Sequence, residues 1–425
     1  MKRILTSIAA GGLLAMVAAA QPAPRYSIIE LGAIAGPFSQ ATGVSDNRYV
    51  TGISSARDGN QHAALWVMGL KIDLGTPGLN SGAFGINPSG QIPIQAETTA
   101  KDPNNANFCA YGTGRQCRPF LLQGVMTALP LLGGYNGTVG NSNNRGEVAG
   151  IAENGTRDPA CPSEPSLSGT GPQVLDFEPV VWGPKAGDIR ELRRLPGDTV
   201  GMALWINDNG QAVGATGTCA NTTLPPVAFG PHAVYWEKDG SPVDMGNLGG
   251  KVVNIGLAIN NKGQAVGVSS LNDKSSPNFQ TNAFLWTKGT GMRDLGTLPG
   301  DVASVGAAIN ERGDVVGFSF DKEGSPRATF WRDGFMSDLN DLIPGNSPLY
   351  LLLATSINSS GEIAGFGAVK STCMGDPELC EVHGFLASPN SGTSSRAPDT
   401  VGGRLPFVLP ENVRAALRQR MQHGK

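Results

Sequence analysis

Apolar and polar positions along this chain alternate in short bursts, not in helical turns. Residues 303 to 309, ASVGAAI, carry small residues at every second place and end at Ile309-Asn310; after the turn comes the apolar run VVGF, then RATFW at 327 to 331 and a DLG-type phrase. Runs of four to seven residues with period two, separated by Asn/Gly turns, predict four short strands per unit. The unit recurs. Its turn phrase stands at 44 to 52, 86 to 94, 143 to 150, 206 to 214, 259 to 267, 309 to 317 and 357 to 365, seven copies in all. A second phrase follows each: HAALW, RPFLL, EPVVW, HAVYW, NAFLW, RATFW and HGFLA. The third phrase, of the type DLGTLPGD, appears only six times between Lys71 and Gly345, and its seventh copy, IIELGAIAG at 28 to 36, precedes the first turn.

That offset has a simple geometric reading. Seven four-stranded units around an axis predict an all-β fold, a seven-bladed β-propeller, in which the N-terminal strand completes the last blade; an open array would need no such displacement. The strand ending at Ile-Asn is expected innermost, because Ser304, Gly306 and Ala308 suit a face crowded against a narrow channel.

Composition agrees with many tight turns: Gly at 59 and Pro at 30 are abundant, and charged residues, at 16%, are sparse. The net charge of -3 conceals an acidic body. Without the leader and the basic tail, 24 basic residues face 33 acidic ones, which excludes a nucleic-acid partner from the expectations. Residues 1 to 20 pair Lys2-Arg3 with a short apolar run ending Ala18-Ala19-Ala20, the pattern of a signal peptide cleaved after Ala20, and predict a secreted or periplasmic protein. No later run is long and apolar enough for a transmembrane segment. The expected organisation is a leader at 1–20, the propeller at 21–389, a Ser/Gly/Pro linker at 390–409 and a short basic amphipathic tail at 410–425.

The chain resembles the extracellular HAF-repeat proteins, which carry the His-Ala-Phe, DLGTLGG and IN-x-x-G-x-VVG phrases. The match runs from about residue 26 to 389 and is strongest in NAFLWTKGTGMRDLGTLPGDVASVGAAINERGDVVG, with blade two departing at Ile94 and Leu122. The resemblance implies an exported repeat protein and brings no assigned reaction.

The repeated polar residues read as architecture. Asn207-Asp208-Asn209-Gly210 looks like a calcium loop, but sister copies read NERG, NSSG and NPSG, so Asn and Gly persist as turn formers while the acids come and go. His62, His232 and His383 share one repeat position on different blades and are expected at strand ends, not around a metal. Trp66, Trp182, Trp236, Trp286 and Trp331 share another, expected between blades, with an exposed sugar platform as the alternative. No motif for a metal, a cofactor or a nucleophile emerges.

Variation concentrates between the second and third strands, where blades two, three, four and seven carry long insertions at 96 to 117, 152 to 177, 217 to 231 and 367 to 382. All six cysteines lie there. Two pairs share an insertion, Cys109 with Cys117 and Cys373 with Cys380, and the remaining Cys161 and Cys219 fall in adjacent blades, so topology favours those three disulfides over free thiols. Glu153, Asp158, Glu164, Asp176, Glu178 and Asp321 are the candidate acids of this face. Uneven loops on uniform blades predict a monomeric, non-enzymatic scaffold binding a glycan, an envelope polymer or a protein. A polysaccharide hydrolase or lyase using the loop carboxylates is the alternative, and a purely structural surface protein is the third reading.

Overall fold

The computed structural model describes residues 24–161, 172–185, 187–222, 230–274, 280–373 and 380–390. The expected leader at 1–20, the expected tail at 410–425 and all but the first residue of the expected linker at 390–409 lie outside them. Seven antiparallel four-stranded sheets form a seven-bladed β-propeller. Blade one comprises Ser39–Val44, Val50–Ser55, Gln61–Val67 and Leu70–Gly75, and blade three Gly133–Ser142, Val148–Arg157, Leu175–Trp182 and Ile189–Glu191. Blade six comprises Ala303–Ile309, Val315–Phe320, Pro326–Arg332 and Phe335–Asp338. Blade seven takes three strands from the end of the chain, Leu349–Ile357, Ile363–Val369 and Val382–Pro389, and its outer strand is Tyr26–Glu30, paired antiparallel from Tyr26 opposite Pro389 to Glu30 opposite Phe385.

The first strands of blades three to seven and of blade one lie against one another in turn, so they are innermost. The fit is close: Thr42 Oγ1 donates to the Ala83 carbonyl at 2.5 Å, and Thr355 Oγ1 to that of Ala41 at 2.8 Å. Most inner strands carry a bulge at the same place, as between Gly306 and Ala308 or between Gly256 and Ala258. The bulge explains the glycine of the VVG phrase. At Gly317 a Cβ would fall on the Val305 carbonyl oxygen, and at Gly267 on that of Ile255. Blade two has Ile94 at this position, and there the inner strand is only Ser81–Ala83, pairing Ala83 with Ile94 without a bulge.

The asparagine of each turn works in two directions. Asn310 Oδ1 accepts from the amides of Arg312 and Asp314, both at 3.0 Å, closing its own turn. Its Nδ2 reaches the next blade. Asn87 donates to the Asn143 carbonyl (3.1 Å), Asn143 to Asn207 (3.0 Å), Asn207 to Asn260 (2.9 Å), Asn260 to Asn310 (3.0 Å), Asn310 to Asn358 (3.4 Å) and Asn358 to Ser45 (3.0 Å). These amides are buried, and the belt they form joins every pair of neighbouring blades but one. The break lies between blades one and two, where Ser45 has no amide to give.

The repeated tryptophans seal the outer seams. Trp66 Nε1 donates to the Gly32 carbonyl (3.1 Å), Trp182 to Pro130 (2.8 Å) and Trp236 to Arg193 (2.7 Å), each bond reaching the strand connection that precedes its blade. All five are buried, which removes the sugar-platform alternative. Trp205, outside the repeat, is half-buried on an inner strand.

Candidate functional site

One face of the ring carries the connections between second and third strands and those between blades; the Asn turns open on the other. Among the described residues all six cysteines lie on the former, and the sulfurs are at bonding distance in the three expected pairs. Cα separations are 5.2 Å for Cys109 and Cys117, 4.7 Å for Cys161 and Cys219, and 4.5 Å for Cys373 and Cys380. The middle pair joins blades three and four. Asp158 lies close to Cys161 and Cys219, but sulfurs bonded to each other offer no thiolates to a metal ion.

The candidate acids separate into distinct groups, and three were expected in loops but lie on strands. The second and third strands of blade three extend to Arg157 and back from Leu175, so Glu153, Asp176 and Glu178 belong to the sheet. Extra pairing, Glu153 opposite Phe177 and Ala152 opposite Glu178, accounts for the longer strands. Glu153 is buried and used up: its Oε2 accepts from the Tyr135 and Asn136 amides and from Asn136 Nδ2, and its Oε1 from Gln173 Nε2 at 3.0 Å. Asn136 Nδ2 also donates to Asp102 at 2.8 Å, while its Oδ1 accepts from the Cys117 amide at 2.9 Å. This network fastens the insertion of blade two to blade three. Burial raises the Glu153 carboxyl above its ordinary range despite the bonds from Gln173 and Asn136.

Glu178 is likewise buried between Arg194 and Asn154, whose Nδ2 donates at 2.7 Å. Asp321 caps a tight turn of blade six, accepting from the Ser325 amide at 2.8 Å. Glu164 lies outside the described residues. Asp158 and Asp176 remain. Asp158 Oδ2 accepts from Thr199 Oγ1 at 3.1 Å and its side chain hydrogen-bonds Asp176, whose Oδ1 is buried with no partner among the described residues. Burial first, then the hydrogen bond and charge of Asp158 and the charge of Glu178, push the Asp176 carboxyl up to about 6. A carboxyl so placed holds its proton more tightly than an ordinary aspartate.

The histidines do not converge. His62 pairs with Asp73 (2.9 Å), His232 with Asp198 (2.9 Å) and His383 with Glu30 (2.5 Å), each holding the end of its own blade.

The exposed apolar surface of this face was not foreseen. Tyr135, Val252 and Val302 are 40%, 42% and 40% exposed; Tyr135 lies near the start of its inner strand and the two valines just before theirs, each eight residues before its belt asparagine. Blades three, five and six thus set apolar side chains around the channel mouth. Blade seven has Tyr350, half-buried, at the same position. The signal was present in the register of the repeat, but these residues vary from copy to copy and lie outside the three recurring phrases.

No family model matches the chain, and no curated protein matches it. Among solved structures it is similar to a virginiamycin B lyase from Staphylococcus aureus, at 13% identity over 85% of this chain and 99% of that one, with a TM-score of 0.46. It is also similar to the polysaccharide lyase Uly1, at 9% identity over 84% and 91% of the two chains, with a TM-score of 0.43. A gluconolactonase from Xanthomonas campestris is similar at 9% identity over 88% and 99%, with a TM-score of 0.37. The chain's own seven sheets establish the propeller.

Proposed function

We propose that this chain is an exported propeller of the HAF-repeat type that binds a glycan, an envelope polymer or a protein through its loop-decorated face, without turning the ligand over. The observation that carries the reading is the division of labour on that face. The disulfides tie down the cysteine-bearing segments, and the buried network of Asp102, Asn136, Glu153 and Gln173 fastens the insertion of blade two to blade three, while Tyr135, Val252 and Val302 stay exposed at the channel mouth. Segments fastened in this way lose little conformational freedom on binding, and exposed apolar side chains ringed by polar loops are the usual anchors of an interface. Three disulfides, with no helix among the described residues long and apolar enough to cross a membrane, accord with an oxidising compartment outside the cytoplasm. The test is a polysaccharide and envelope-fraction array probed with the parent and with a Tyr135→Ser, Val252→Ser, Val302→Ser triple variant. Binding by the parent that is lost in a variant of unchanged melting temperature supports the reading; equal binding by both refutes it.

A second reading has one observation of its own. The Asp158 and Asp176 pair, with a carboxyl near 6, has the proton affinity of a general acid, as a polysaccharide hydrolase or lyase requires.

A further inference from the structure

The opposite face holds a cavity of about 450 Å³ at the seam of blades six and seven, lined in part by Tyr26, Arg312, Asp314, Arg332 and Gly361. Its volume lies within the range of small-ligand sites. Asp314 is buried and fully engaged, receiving Arg332 through Nε at 2.6 Å and Nη2 at 2.8 Å, Arg312 through Nε at 3.0 Å and Asn310 through Nδ2 at 3.1 Å. One carboxylate thus anchors two guanidiniums. Arg332 Nη1 and Arg312 Nη2 keep their protons uncommitted among the described residues, and Gly361 leaves space for the latter, since a Cβ there would collide with Nη2. Asp333 also lines the cavity but is an exposed residue.

Tyr26 completes the set. It is 1% exposed, packs edge-on against Phe330 at 6.1 Å, and its hydroxyl is buried with no hydrogen-bond partner among the described residues. A buried hydroxyl left without a partner costs stability, and a ligand atom would relieve it. The cluster is not a repeat feature. The places of Arg312 and Arg332 are taken by Asn209 and Glu237 in blade four and by Lys262 and Thr287 in blade five. A structural ion pair alone would need neither the second arginine nor the cavity beside it.

We propose that this cavity binds a compact organic carboxylate of sugar-acid size, its oxygens received by Arg312, Arg332 and the Tyr26 hydroxyl. Guanidinium groups suit a carboxylate in shape and charge. Burial also holds the Tyr26 phenol protonated, well above its ordinary range, so it donates. The test uses the full exported chain titrated calorimetrically with glucuronate, galacturonate, glucose and inorganic phosphate. At least one uronate should bind, with glucose and phosphate weaker by about tenfold or more. Tyr26→Phe should weaken uronate binding about tenfold while leaving the free protein's melting temperature equal or higher, because it deletes an unsatisfied group. Arg312→Gln, which keeps Arg332 on Asp314, should weaken binding at least as much. No uronate binding up to about 10 mM, phosphate binding as tightly as uronate, or uronate affinity unchanged in both folded variants overturns the proposal.

Discussion

At the scale of the residue, the repeated letters act mainly between blades. The asparagine of the IN phrase is legible as a turn former, and its Oδ1 serves that role, but its Nδ2 reaches the neighbouring copy, which a single turn does not reveal. The belt suggests its own repair. Ser45 occupies the asparagine position of blade one, and Arg48, at φ 64, stands where every other copy has a positive-φ glycine. Ser45→Asn should supply the missing bond to the Asn87 carbonyl and raise the unfolding free energy by about 1 kcal/mol, read by chemical denaturation. No gain would mean that the seam of blades one and two differs from the others. Asp176 makes a prediction in pH. Its folded carboxyl, at about 6, lies above the ordinary 3.8, so the folded state holds the proton more tightly. Its contribution to stability is full below the ordinary value and is lost as pH rises through about 6. Asp176→Asn should therefore flatten the parent's loss of stability between about pH 4 and 7 and raise the melting temperature at neutral pH.

At the scale of the element, strand identity and order were legible because period two and turn chemistry act locally. Strand ends were not. Glu153, Asp176 and Glu178 looked like loop acids because pairing beyond residue 152 depends on a neighbouring strand and on bonds from Asn136, Gln173 and Arg194. Among the described residues the candidate acids left without a structural role reduce to one pair, Asp158 and Asp176. The cysteines were legible for the opposite reason, since blade order alone places Cys161 beside Cys219. These residues are 58 apart in sequence, and closing so long a loop constrains the unfolded chain by roughly 4 kcal/mol in the chain-entropy picture. Replacing both by Ser should lower stability by up to that amount, and non-reducing peptide maps of the parent should contain one peptide linking the two. Alkylatable thiols at both positions would contradict this pairing.

At the scale of the whole molecule, we propose that the N-terminal strand holds the ring shut. Tyr26–Glu30 covers the edge of Val382–Pro389, and Tyr26 lies within the core cluster shared by blades five, six and seven. Removing residues 26 to 36 should expose that edge and produce aggregation or a broad, uncooperative melt; a variant that melts like the parent would show that closure contributes nothing. What repetition could not reveal lies at the places where copies differ: the exposed side chains at the channel mouth, the pair of Asp158 and Asp176, and the two-arginine cavity. We propose that function rests on those departures and that the loop-decorated face binds its ligand without turnover. The most direct measurement follows a polysaccharide bound on the array through prolonged incubation with the parent and with Asp176→Asn, recording bound fraction and new chain ends together. Equal binding by both proteins and no new ends are expected; chain cleavage by the parent that disappears in Asp176→Asn would contradict binding without turnover and make the acid pair a catalytic centre.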